Sequence, residues 1–165
     1  MSSESSQSPR IRRVEASRIG DLIRIGEETK LSPWTANSYV EELKNPNAII
    51  LRLAGEDNST LGFIVGRMVP GGEIEMRLDA EIYNIAVGEE HQRRGYGQQL
   101  FDAFAGICHE RRSSNIWLEV RESNQKALRF YEKNGFERVQ SRSDFYDNPR
   151  EHALLMRLVL KDQTA

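Results

Sequence analysis

Two spacings of apolar residues divide the chain. In "NAIILRLAG", "TLGFIVGRMV", "AEIYNIAV", "NIWLEVR" and "HALLMRLVL" they come in short runs or at every second position, the period of a β-strand. Elsewhere they return after three or four residues, the period of one helix face. Ile19, Leu22, Ile23 and Gly26 form such a face, with Ser17 as the expected N-cap. "SPWTANSYVEELKNP" predicts a turn and a second short helix, stopped near Asn45-Pro46 because proline disfavours helical geometry in the residue before it. "EDNS" joins two apolar strands and predicts a hairpin.

"RIRRVEA" is a further strand candidate ahead of the first helix, and "PGGE" opens a polar excursion before "AEIYNIAV". A long helix follows to about Arg112, and "SNQKALRFYEKN" predicts another, with Gly135 as its C-cap. "GFERVQSRSDFY" and "HALLMRLVL" complete the strands. Strands interleaved with helices on this scale predict a mixed α/β domain around one central sheet of about seven strands, with about four helices. Residues 1–9 are expected to be a flexible tail, residues 10–160 the domain, and residues 161–165 a short C-terminal tail.

At 165 residues the chain can bury a real core, and its 38% hydrophobic and 29% charged content is ordinary for a soluble protein. A net charge of −2 supplies no general attraction for nucleic acid or an anionic membrane, and neither is expected as a partner. Any anion site must come from local charge. Cys108 is the lone cysteine, set in the apolar pattern "FDAFAGICHE", which fits a buried helix residue better than a nucleophile. No apolar run reaches the roughly 20 residues that span a bilayer, and "MSSESSQSP" is no secretory signal, so a cytoplasmic location is expected. His91, His109 and His152 lack metal-ligand spacing, and no metal is expected.

Local charge is concentrated in "HQRRGYGQQL", at the start of the long helix. A helix N-terminus presents unpaired N–H groups and partial positive charge. Gly95 and Gly97 carry no side chain to block a phosphate, and Arg93 and Arg94 add charge and forked donors. A glycine-bearing turn with two solvated arginines is the plainer alternative. The stretch is no P-loop, lacking G-x-x-x-x-G-K-[ST], and it lacks the third glycine of a dinucleotide fingerprint.

Alternation in "NIWLEVR" puts Trp117, Glu119 and Arg121 on one face and Ile116, Leu118 and Val120 on the other. Glu119 is then either a solvent-facing carboxylate or an acid held near the end of an apolar strand, where α/β sites often lie. Asn124 and Tyr131, seven residues apart, fall on nearly the same face of one predicted helix. One ligand could touch both; alternatively Asn124 belongs to the helix cap and Tyr131 to the core.

"QRRGYG" resembles the Q/R-x-x-G-x-G/A signature of the GCN5-related N-acetyltransferases (GNAT), and "NIWLEVRESNQKALRFYEKNGF" resembles the second half of that family's core. The resemblance runs from about Arg10 to Leu160. It implies a single GNAT-type domain with splayed fourth and fifth strands and acetyl-CoA as acetyl donor. The pyrophosphate would bind at Arg93, Arg94, Gly95, Tyr96, Gly97 and Gln98, with Asn124 also toward the cofactor. Backbone groups of Ile85, Ala86 and Val87 would hold the acetyl and pantetheine end. It also implies Glu119 as general base and Tyr131, from "FYEKNGF", as the group reaching the sulfur. "SPWTANSY", "YNIAV", "LEVRESN" and "DFYDNPREHALLM" are similar to the ribosomal-protein-alanine N-acetyltransferases within that family. Their acceptor is a protein N-terminus, and Phe145-Tyr146 stands where a Tyr-Tyr pair is common there.

Elementary acid–base chemistry bears on the acceptor. A protein α-amine has a pKa near 8, so freeing it of its proton at pH 7 costs about 1–1.5 kcal/mol, against about 4.6 kcal/mol for lysine. Glu119, through water, suits the first task better than the second. A tyrosine near pKa 10 is a weaker acid than a thiol near 8.5, so hydrogen bonding to the departing thiolate is the smaller demand on Tyr131. The expected activity is Nα-acetylation of a protein, with N-terminal alanine of a small-subunit ribosomal protein as acceptor. The alternatives are a lysine or small-molecule amine acceptor, or a coenzyme A-binding module without turnover.

Overall fold

The computed structural model describes residues 7–31, 33–72 and 77–161. Most of the N-terminal tail, Ser32, part of the "PGGE" excursion and nearly all of the C-terminal tail lie outside the described residues. The strands are β1 (Arg10–Arg13), β2 (Ala48–Ala54), β3 (Thr60–Pro70), β4 (Leu78–Val87), β5 (Asn115–Arg121), β6 (Glu137–Tyr146) and β7 (Glu151–Val159). The helices are α1 (Ile19–Glu28), α2 (Ala36–Lys44), α3 (Tyr96–Glu110) and α4 (Gln125–Lys133). The strands form one seven-stranded sheet in the order β1-β2-β3-β4-β5-β7-β6. It is mixed, because β4 and β5 run parallel while β1–β2, β5–β7 and β6–β7 are antiparallel. The parallel ladder joins Ala80–Ile82 to Ile116–Leu118, three pairs within strands of ten and seven residues, as in a splayed pair.

Contacts divide the chain into two compact units, Met1–Gly66 with Asn84–Ile107, and Arg67–Tyr83 with Cys108–Ala165. In the first, β2 and the opening of β3 are buried at almost every position, and Leu22, Ile25, Phe63, Leu100 and Phe104 are sealed from solvent. Burying residues of this kind contributes about 1.5–3 kcal/mol each. Arg52 is buried with them and ties down the β2–β3 turn, donating to Asn58 O at 3.1 Å and to Asn58 Oδ1 at 2.7 Å. In the second unit, β5 alternates strictly: Ile116, Leu118 and Val120 are buried, while Trp117, Glu119 and Arg121 are half-buried on the other face.

Two local expectations are corrected. Ser17 does not cap α1; it lies in a 3-10 turn, Ala16–Arg18, that leads straight into the helix. The face of α1 turned to the core is centred on Leu22, so Ile19, Leu22 and Ile25 are buried, while Ile23 and Gly26, toward one side of it, are only half-buried. At the end of α4 the C-cap is Asn134, and Gly135 is the residue after it, with φ +92°. Its N–H donates to Glu132 O and that of Phe136 to Tyr131 O, both at 3.0 Å, the paired closure that a left-handed residue permits.

Candidate active site

The loop between β4 and α3 is folded back onto its own strand. Gln92 Nε2 donates to Val87 O at 3.0 Å, and the amide of Gly88 donates to Leu61 O at 2.9 Å. Arg93 and Gly95 both take positive φ, +65° and +79°. Gly95 adopts this without penalty; an arginine gives up about 1–2 kcal/mol. Gly95 O then accepts the first helical bond, from Gln99 N at 3.1 Å. The amides of Tyr96 and Gly97 come before that bond, in the opening turn of the helix, where N–H groups have no carbonyl one turn back to meet. Gly97 is not required by its protein neighbours, since a Cβ there would meet only Val87 Cγ2 at 3.9 Å. The glycine leaves open space beside the amides, and Arg93 and Arg94 are exposed next to it. An anionic group fits this arrangement.

Upstream of the loop, Ala86 is buried and Ile85 and Val87 are half-buried. Gly62 permits the close approach of β3: a Cβ there would lie 2.7 Å from Ala86 O. The segment Pro33-Trp34-Thr35 has a physical role in the same unit. Thr35 caps α2 by accepting from Ser38 N at 3.1 Å, and Trp34 packs on Tyr39 with ring centroids 5.1 Å apart. Burial pushes the Tyr39 hydroxyl up to about 12, with the neighbouring Asn84 side chain offsetting a smaller part of the rise.

The second unit gathers the titratable groups. The Glu119 side chain is 24% exposed and pairs with Arg142, Nη1 to Oε1, at 2.9 Å. Its pKa lies above the ordinary glutamate value because burial outweighs the Arg142 cation, and the Glu81 carboxylate adds to the rise. Glu81 itself accepts from Tyr83 OH at 2.9 Å. Tyr131 is buried between Phe130 and Phe136, at ring distances of 5.6 and 5.5 Å. Burial, and then the neighbouring Tyr146, hold its hydroxyl well above the usual tyrosine range. Tyr146 is raised by burial and then by Glu119, so it lies within electrostatic reach of both.

Arg121 shapes the turn that carries Tyr146. Its guanidinium lies 4.3 Å from the Tyr146 ring centroid and donates to Asp147 O at 3.2 Å and Pro149 O at 3.0 Å. It also pairs with Glu151 at 3.4 Å, and Glu151 accepts from Ser123 N at 2.5 Å. Asn124 is the N-cap of α4: its Oδ1 accepts from Ala127 N at 3.1 Å, and its Nδ2 is a donor not used by the cap. Gln98 Nε2 is likewise engaged, donating to Asp102 Oδ1 at 2.8 Å. Phe145 is 47% exposed, stacked edge-on against Tyr146. Cys108 is buried, its thiol pushed up to about 12, as expected of a core residue. Among the described residues, no group of three or more His, Cys, Asp or Glu side chains could hold a metal ion.

Sequence reasoning missed Gln92 as the loop's anchor, although it opens the "QRRGYG" motif, and it missed Glu81 and Arg142 altogether. Glu81 was legible as an acid on the same face of the neighbouring strand. Arg142 carried no such signal, because its partner lies beyond an intervening strand.

The profile of the Acetyltransferase (GNAT) family matches residues 19–136, more than half of the chain. A ribosomal protein bS18-alanine N-acetyltransferase from Haemophilus ducreyi is 31% identical over 144 residues, covering 84% of this chain and 92% of its own. One from Haemophilus influenzae is 31% identical over 150 residues, covering 88% and 95%. Among solved structures, the ribosomal-protein-S18-alanine N-acetyltransferase of Escherichia coli superposes with a TM-score of 0.80 at 24% identity. That likeness covers 95% of this chain and 98% of the other, and it concerns the fold.

Proposed function

Since the chain belongs to the Acetyltransferase (GNAT) family, we propose that it is an acetyl-CoA-dependent Nα-acetyltransferase whose acceptor is the N-terminal alanine of a small-subunit ribosomal protein. The observation that carries this acceptor is the 31% identity, over 84% of the chain, to a relative that bears that substrate in its name. A ribosomal acceptor goes with a cytoplasmic site of action. No described helix is long and apolar enough to cross a membrane. The catalytic domain is proposed to span residues 10–160.

In this reading the first amides of α3, at Tyr96, Gly97 and Gln98, receive the pyrophosphate of acetyl-CoA. Gly95 and Gly97 admit it, and Arg93 and Arg94 add charge. The backbone of Ile85, Ala86 and Val87 holds the acetyl and pantetheine end, and Asn124 contributes its Nδ2. Glu119, through water, accepts one proton from the acceptor ammonium. The neutral amine forms the new C–N bond at the thioester carbonyl, the C–S bond breaks with its electron pair on sulfur, and the second proton that the nitrogen sheds passes through water to the departing sulfur. Burial makes Glu119 a better base than a solvated glutamate, because its pKa moves toward that of the amine. The same burial makes Tyr131 a poorer acid, so its hydroxyl stabilises the thiolate by hydrogen bonding.

The test is acetylation of a peptide library with free N-termini, alongside N-terminally blocked peptides that carry lysine, read by mass spectrometry. The expected product carries one acetyl group on the α-amine, with N-terminal alanine preferred. Modification confined to lysine or to small amines would overturn the acceptor. Coenzyme A binding without turnover on any amine would overturn the assignment as an enzyme.

A further inference from the structure

Glu119 already holds a cation, and that cation comes from an unexpected place. Arg142 is on β6, which is not the neighbour of β5; β7 runs between them. Leu155 of β7 stands opposite Glu119, and Gln140 of β6 stands opposite Leu155. Neighbouring strands are about 4.8 Å apart, so Arg142 reaches across two spacings, about 10 Å, to place Nη1 on Glu119 Oε1. Its side chain is 47% exposed, so water is an alternative partner, and extending it costs rotamer freedom. Just beyond Arg142 the β6–β7 ladder loses register until Tyr146, and Asp144 within that stretch has φ +54°. The pair is therefore exchangeable rather than locked.

Among the described groups, Arg142 is the cation that acts on the carboxylate; Arg121, on the same face of β5, is engaged with Glu151 and the Tyr146 turn, and Arg157 of β7 lies over the Trp117 ring. β4 contributes the acid Glu81, β6 contributes Arg142 and Tyr146, and β7 contributes apolar Leu155. We propose that Arg142 is the resident counter-ion of Glu119, and that the protonated N-terminus of the acceptor displaces it on binding. This rests on Glu119 being the base of the proposed reaction. Both cations compete for the same carboxylate, the ammonium through the water that relays its proton, and an acceptor without a charged amine cannot compete for it. Arg142 is thus a positioning residue. It keeps Glu119 ionised until an ammonium arrives, and it biases binding toward ligands that bring one.

Glu119→Gln and Arg142→Gln are compared with the wild type on a free N-terminal peptide and on its acetylated product as inhibitor. Glu119→Gln is expected to lower kcat by about 10²–10⁴-fold. Arg142→Gln is expected to move the acidic limb of kcat/KM upward by about 0.5–1 pH unit, because the carboxylate loses its cation and keeps its proton to higher pH. Its acceptor KM is expected to fall about two- to fivefold, the range a part-exposed ion pair supplies. The acetylated peptide carries no ammonium, so its inhibition constant should be unchanged, whereas a structural disturbance would move both. Arg142→Lys should restore the wild-type limb. If Glu119→Gln turns over normally, the base assignment fails and the displacement with it. If Glu119→Gln is inactive while Arg142→Gln leaves the limb in place or raises the acceptor KM, the displacement alone fails.

Discussion

Tyr131, the proposed partner of the departing sulfur, has an acidity that its surroundings have weakened. Packed between Phe130 and Phe136, its hydroxyl is desolvated, and burial disfavours the phenolate that proton donation would leave behind. A thiolate with a reference pKa near 8.5 is a weak base beside it, so complete transfer runs uphill by more than the reference values imply. A hydrogen bond asks less, because the phenol keeps its proton while the sulfur gains charge. Removing the hydroxyl should therefore slow the departure of sulfur without loosening the cofactor. Tyr131→Phe is expected to bind coenzyme A as the wild type does, by calorimetry, and to lose about 10²-fold in kcat. An unchanged kcat, with chemistry shown to be limiting, would remove Tyr131 from the reaction.

The elements that hold these side chains differ in how openly the sequence announces them. β5 was readable because a strand has a fixed two-residue period: once "NIWLEVR" is a strand, Glu119 must leave the face that Leu118 and Val120 enter. The loop before α3 was readable from its glycines. The buried face of α1 was misread because Ile25 shares a stripe with Ile19 and Leu22 as closely as Ile23 does, and which stripe meets the core is set by tertiary packing rather than by spacing. Arg142 was illegible for a different reason. Its relation to Glu119 depends on strand order and on a ladder that slips between Arg142 and Tyr146, neither of which is written in local spacing. Asn124 lies between these cases, since one residue type serves both a helix cap and a cofactor contact. Asn124→Ala should cost about 1 kcal/mol of stability in chemical denaturation, and Asn124→Asp should keep the cap. If Nδ2 also meets the cofactor, both variants weaken coenzyme A binding; equal affinity for wild type and Asn124→Asp would leave Asn124 a cap alone.

For the molecule as a whole, a net charge of −2 supplies little long-range attraction, so the choice among amines rests on short-range chemistry. Part of that choice exists before any pocket is considered. At pH 7 about a tenth of α-amines are neutral, against about one lysine in 2,500, a ratio of roughly 200. At pH 9 about nine-tenths of α-amines are neutral, against about one lysine in 26, and the ratio shrinks to roughly 25. A single glutamate base, part-buried but still a carboxylate, can assist the small deprotonation and not the large one. Selectivity for the N-terminus, as the ratio of kcat/KM for matched α-amine and lysine peptides, is therefore expected to fall about tenfold between pH 7 and pH 9. The measurement must be made within the pH range where the enzyme itself stays folded, checked by its unfolding temperature. A ratio that stays flat across that range would mean that shape alone excludes lysine, and the discrimination would then belong to the Tyr146 turn that Arg121 holds rather than to the ionisation of the amine.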